Sequence, residues 1–167
     1  MSNVRTVFVS GHFNVLHPGH LRLLRFAKEC GDYLIVAIES DHIAGSAAYV
    51  PENLRLEGVQ CNNWVNECFI FDTSIEEVIG RIKPDVVVNC IGLTKHLKGA
   101  DDPMISIPIN SLLPHRLARL CGINGSRLIH VSTDCVYSGK KGGYIEQDPS
   151  DSEDIYGKSK FLGEVLY

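Results

Sequence analysis

The chain has 167 residues, 44% of them hydrophobic and 22% charged, with a formal net charge of −4. That length suits one domain with a real core, and that balance offers no general attraction to nucleic acid or an anionic membrane, so any affinity for phosphate must be local. No apolar run reaches the roughly 20 residues of a membrane span, the N-terminus lacks a secretory pattern, and six scattered cysteines without a CxxC pair read as reduced thiols of a cytoplasmic protein.

Strand and helix patterns alternate along the chain. Val4–Ser10 is a β-branched and aromatic run ending at Gly11, and Pro18–Cys30 carries Leu21, Leu24 and Ala27 at helical spacing, with Gly31 as its stop. Tyr33–Glu39 predicts a second strand, Pro51–Trp64 a helix, and Cys68–Asp72 a third strand. Thr73 or Ser74 can cap a helix through Lys83, whose first turn holds Glu76 and Glu77, where the dipole favours acids. Pro84 ends it, and Asp85–Cys90 follows as a strand with the apolar centre Val86-Val87-Val88. Ile109–Cys121 predicts a helix stopped by Gly122, Arg127–Ser132 a fifth strand, Gly139–Ser152 a polar loop, and Ile155–Leu166 a last helix. The expected fold is therefore α/β: one domain over 1–167 with a Rossmann-like, doubly wound, five-stranded parallel sheet and helices on both faces.

The segment Gly11-His12-Phe13-Asn14-Val15-Leu16-His17-Pro18-Gly19-His20 lies between the first strand and its helix, where open α/β sheets bind ligands. Gly11 permits a tight turn, Gly19 leaves room for a phosphate, and the helix start aims free N–H groups and a positive dipole end at an anion. His17 and His20, three apart, can project to one side and donate to phosphate oxygens. Such a pair suits attack at the α-phosphate of a nucleoside triphosphate, which needs charge stabilisation more than a covalent nucleophile.

On these residues the chain resembles the cytidylyltransferase-type nucleotidyltransferases. Their pattern, G-x-F-D-x-L-H-x-G-H, is met by Gly11, Phe13, Leu16, His17, Gly19 and His20, with Asn14 in place of the usual aspartate. The likeness runs through Ala27-Lys28, Gly31-Asp32, Ser40-Asp41, Arg55-Leu56-Glu57 and Asp72 to about Val88. It implies binding of CTP or ATP with Mg2+, catalysis by His17 and His20, and Arg55 near the phosphates beside Gly11, Phe13, Asn14 and Gly19.

A second constellation lies downstream. His130-Val131-Ser132-Thr133-Asp134 ends a strand in hydroxyls, and Tyr156-Gly157-Lys158-Ser159-Lys160 begins a helix. A tyrosine and a lysine four apart share a helix face, and the ammonium lowers the phenol's pKa so that it can exchange a proton with a carbonyl or alcohol. With Lys83-Pro84-Asp85, Asn89-Cys90 and Ile109-Asn110, residues from about 81 to 167 resemble the middle of an extended short-chain dehydrogenase/reductase of the dTDP-4-dehydrorhamnose reductase kind. That resemblance implies Thr133 (or Ser132), Tyr156 and Lys160 as a catalytic set, with Asn89 and Gly92 beside NAD(P).

Each likeness is incomplete. The first strand-to-helix turn is not the GxxGxxG that holds a dinucleotide, and the chain stops at Tyr167, before the later strands and lobe expected of a reductase. The basic serine/threonine motif that grips the triphosphate in nucleotidyltransferases is missing after Val88. The two patterns meet near Lys83–Val88, a strand common to both folds, so halves 1–88 and 89–167 can join in one sheet of order 3-2-1-4-5. The sequence reads as a recombinant of the two, a natural fusion or a deliberate chimera. Three functions follow: a nucleotide-binding, nucleotidyltransferase-like protein with weak or lost activity; the remnant of an NAD(P)-dependent sugar-nucleotide reductase; or a scaffold without catalysis. The intact Gly11–His20 loop favours the first, with a small-molecule nucleotide as partner, no nucleic acid or membrane, and a homodimer allowed by the family's habit.

Overall fold

A computed structural model describes residues 4–165. Its core is a five-stranded sheet in the order β3-β2-β1-β4-β5. The strands are β1 (Thr6–Gly11), β2 (Tyr33–Glu39), β3 (Glu67–Phe71), β4 (Val86–Asn89) and β5 (Arg127–His130). β1 runs parallel to β2 over six residues, from Thr6 opposite Tyr33 to Gly11 opposite Ile38, and also pairs in parallel with β4, as β2 does with β3. The continuous apolar runs of β1, β2 and β4 are buried almost throughout, as strands covered on both faces require.

The chain divides into two compact units. One comprises Met1–Asn89 and Leu120–Ile129, the other Cys90–Arg119 and His130–Tyr167. The first unit takes in Leu120–Ile129, and with it most of β5, which completes the sheet.

In the first unit, α1 (Pro18–Glu29) buries Leu24 and Ala27 against Val7, Val9, Leu34, Val36 and Val86. α2 (Asp41–Ala44) is a single turn capped by Ser40. α3 (Glu52–Gln60) is shorter than the helix expected over Pro51–Trp64. It stops before Asn62, whose side chain accepts from the Trp64 N–H, and Trp64 packs on the core beyond the helix end. α4 (Ile75–Ile82) is capped by Ser74, whose hydroxyl accepts from the Glu77 N–H, and ends in left-handed Lys83 just before Pro84.

The largest departure from sequence expectation concerns the helix predicted over Ile109–Cys121. Helical structure begins earlier, with α5 (Pro103–Ile107), which Asp102 caps through the Met104 N–H. It continues as a π turn over Pro108–Leu112 and then as α6 (Leu113–Asn124), which passes Gly122. Pro108 has no N–H to give the regular ladder, and a wider turn carries the chain past it. The last helix, α7 (Ile155–Leu162), ends at Gly163, whereas Leu166, its expected end, lies outside the described residues. All six cysteines are free. Burial pushes the Cys68 thiol up to about 12 and Cys121 up to about 11.

Candidate functional site

In the first unit, β1 ends at Gly11 and the loop Gly11–His17 leads into α1. Phe13 adopts the left-handed region at φ 52°, a costly conformation for an aromatic residue. Its ring is buried against Gly11 and stands 5.4 Å from the His20 ring. His17 caps α1: its Nδ1 accepts from the Gly19 N–H at 3.0 Å. With Nδ1 accepting, a neutral His17 carries its proton on Nε2 and can donate it. The rings of His17 and His20 stack with centroids 4.0 Å apart, so the two histidines singled out by spacing do converge.

His20 Nδ1 is buried without a hydrogen-bond partner. Burial holds the His20 imidazole below its ordinary value, the charge on His17 acts in the same direction, and the Val15 backbone opposes them. A buried, unpaired ring nitrogen beside a helix start is costly unless an anion or hydroxyl arrives to use it. Gly19 is required here, since a Cβ at that position would lie 2.8 Å from His17 Cε1.

Arg55, expected near the phosphates, is placed otherwise. Its side chain is fully buried and spent on the protein chain. Nε donates to the Val50 carbonyl at 2.8 Å, Nη1 to the His12 carbonyl at 2.7 Å, and Nη2 to the Glu39 carbonyl at 2.8 Å and to Asp41 Oδ1 at 2.7 Å. The guanidinium therefore braces the loop from behind, where His12 Nε2 also meets Glu39 Oε2 at 2.9 Å. Asn14 is a second brace: Nδ2 donates to the Ala47 carbonyl at 2.8 Å, while Oδ1 accepts from the N–H groups of Tyr49 and Val50. Sequence reasoning missed both roles, since neither the carbonyl acceptors nor their distance along the chain leaves a residue-type signature.

The second unit gathers the other constellation. Lys160 is buried, and its Nζ donates to the Val131 carbonyl at 2.9 Å. Burial lowers its pKa against the opposing influence of Cys90 and Glu164, and burial raises the Cys90 thiol. Tyr156 lies four residues earlier on α7. Ser132 donates to Glu164 Oε1 at 2.6 Å, and Thr133 Oγ1 accepts from the Cys135 N–H and donates to Asp134, capping a 3-10 turn over Asp134–Val136. Both hydroxyls therefore have protein partners.

Asn110, in the π turn, is fully buried. It accepts from the Leu93 N–H and donates to the Leu93 carbonyl and Ser159 Oγ, while Ser111 donates to the Ser159 carbonyl. A Cβ on Gly92 would stand 3.4 Å from Asn110 Oδ1 and 3.7 Å from Lys160 Nζ. Gly157 is obligatory, since its Cβ would lie 2.1 Å from the Cys135 carbonyl oxygen. Asn89 is buried at the end of β4 in the first unit. Among the described residues no three His, Cys, Asp or Glu side chains converge on a common metal position, and no helix is long and apolar enough to cross a membrane.

Comparison with known proteins finds two families whose matches overlap over residues 55–98. Residues 8–98 match the family described as Cytidylyltransferase-like, and residues 55–166 match the RmlD substrate binding domain. An FAD synthase of Ferroglobus placidus is 34% identical over 96 residues, 56% of this chain and 62% of its own. A dTDP-4-dehydrorhamnose reductase of Mycobacterium tuberculosis is 38% identical over 85 residues, 48% of this chain and 28% of its own. The chain thus spans only part of the curated relatives it matches. A solved structure, a hypothetical dTDP-4-dehydrorhamnose reductase from Sulfolobus tokodaii, superposes with a TM-score of 0.64 at 24% identity, covering 95% of this chain and 50% of that one. That likeness shows the fold.

Proposed function

We propose that this chain, which belongs to the cytidylyltransferase-like family through residues 8–98 and to the RmlD substrate binding domain family through residues 55–166, binds a nucleoside triphosphate at Gly11–His20 and transfers its nucleotidyl group, from CTP or ATP, to a phosphorylated acceptor. The observation that carries the reading is the His17–His20 stack at the start of α1, in which His20 Nδ1 is buried and unpaired. In the reaction an acceptor phosphate oxygen attacks the α-phosphorus, the bond to the bridging oxygen breaks, and pyrophosphate leaves with the electron pair. Negative charge grows on the oxygens in flight, and donors fixed beforehand stabilise it. His17 supplies an N–H from Nε2, and His20, whose pKa burial lowers, becomes a donor at Nδ1 when an approaching phosphate draws a proton onto it. Mg2+ enters as the counter-ion carried by the triphosphate.

Activity is expected to be weak, because the stretch after Val88 offers no basic serine/threonine motif to grip the leaving phosphates. The residues fit NAD(P) less well. The first unit presents His17, Pro18 and His20 where a dinucleotide loop needs glycines. No step is therefore assigned to that cofactor.

The test is pyrophosphate release from CTP or ATP with Mg2+ and a panel of sugar, polyol and flavin phosphomonoesters. Release that requires an acceptor and disappears in the His17→Ala/His20→Ala variant supports the proposal. A folded protein that releases none and binds neither nucleotide contradicts it.

A further inference from the structure

Beside the phosphate loop lies a short strap, Gly45–Val50, that the sheet does not need. It is a 3-10 turn over Gly45–Ala47 followed by extended chain, and it is joined to the loop at four points. Three are the Asn14 bonds to Ala47, Tyr49 and Val50, and the fourth is Arg55 Nε on the Val50 carbonyl, from the same guanidinium that holds His12. An amide at position 14 suits this task, because it donates to one strap group and accepts from two. A carboxylate could only accept.

The strap is electrically quiet. Between Tyr33 and Leu54 there is no lysine or arginine. The acids there are engaged: Glu39 meets His12, Asp41 meets Arg55, and the Asp41 and Glu52 carboxylates each accept from the other's backbone N–H. Such a wall has nothing to hold a second phosphate. It does present apolar surface. Tyr49 is 74% exposed and its ring makes no ring contact among the described residues, and Val15, next to the Asn14 anchor, is 57% exposed.

We propose that the Gly45–Val50 strap is a recognition wall for the flat, uncharged ring of a ligand whose phosphate sits at Gly11–His20, with Tyr49 as the stacking face and Asn14 and Arg55 as the positioning residues that fix the wall. This rests on the phosphate-site reading above. The ring is either the nucleotide's own base or a ring borne by the phosphorylated acceptor, since both pair planar π surface with phosphate.

Calorimetric titrations of the wild type, Tyr49→Ala and Tyr49→Phe with CTP, ATP, inorganic tripolyphosphate, phenyl phosphate and inorganic phosphate separate the cases. Because Tyr49 is exposed, Tyr49→Ala should fold normally, which urea denaturation checks. Loss of one stack should weaken binding about tenfold. If the base is the ring, Tyr49→Ala weakens CTP or ATP and leaves tripolyphosphate unchanged. If the acceptor bears it, the preference for phenyl phosphate over inorganic phosphate is what disappears. In either case Tyr49→Phe retains binding. Undiminished binding of every ring-bearing probe by Tyr49→Ala overturns this inference alone. A folded wild type that binds neither nucleotide nor tripolyphosphate overturns the phosphate-site reading, and the inference with it.

Discussion

Replacing Arg55 by methionine isolates what its guanidinium does. Methionine keeps a long flexible stem in the same apolar surroundings but removes every donor. The carbonyls of His12, Glu39 and Val50, which now accept at 2.7–2.8 Å, lose their partner together. A buried acceptor left unpaired costs about 1–3 kcal/mol. Each carbonyl has a second lone pair and the loop can relax, so the lower end applies, and three acceptors give about 3 kcal/mol. For a chain of this length that lowers Tm by roughly 6–12 °C. The single tryptophan, Trp64, packs on the core of the same unit and reports its unfolding by fluorescence. Arg55→Lys should recover only part of the loss, because an ammonium cannot span four acceptors as a fork does. The gap between wild type and Arg55→Met should also narrow in acid. Arg55 holds the Asp41 carboxyl below the usual carboxylate range, so this contribution is present above that range and is lost as the pH falls through the folded-state value. A Tm for Arg55→Met within a degree of wild type would show that the brace is not where the loop gets its rigidity.

Three further outcomes follow from the same geometry. His20 should titrate below the ordinary histidine value of 6.5 by NMR. Between the ordinary value of 6.5 and its own, the unfolded chain holds more protons, so stability falls as the pH drops through that window, and His20→Gln should remove that slope. An ordinary titration for His20 would contradict its burial. Gly19→Ala places a methyl 2.8 Å from His17 Cε1, so the cap must open; a loss of roughly tenfold in nucleotide affinity with the fold retained is expected, and unchanged affinity would refute the role of that cap. Gly157→Ala puts its methyl 2.1 Å from the Cys135 backbone carbonyl oxygen and should cost about 2 kcal/mol or more by urea denaturation followed by circular dichroism. A neutral result would mean that α7 does not pack as described.

The alternation of apolar runs with capped, periodic segments made the sheet and its order legible, because the central strands β1, β2 and β4 are continuous buried apolar runs and the intervening turns carry glycine, proline or a cap. The Gly11–His20 loop was legible for a similar reason: His17, Gly19 and His20 act within four residues, the reach of a single turn. Arg55 was not. A lone arginine on a short helix reads as a surface charge or a phosphate ligand, and only the folded chain brings the carbonyls of residues 12, 39 and 50 to its fork. The partner of the Ser132 hydroxyl, Glu164, was not legible either, since it lies 32 residues away along the chain. The long stretch after Gly99 failed for a local reason. Helical structure starts before Ile109, where Asp102 caps α5 at Pro103, and Pro108 interrupts the regular ladder between that start and the expected helix.

The most direct test of the central claim is a calorimetric titration of the intact chain with CTP, ATP and NADPH, each with Mg2+, beside the His17→Ala/His20→Ala variant. Saturable binding of CTP or ATP that the variant loses, with NADPH binding weaker or absent, is the predicted result and would establish Gly11–His20 as a working phosphate site. Binding of NADPH in preference to either triphosphate, or no binding of any of the three by folded protein, would contradict it.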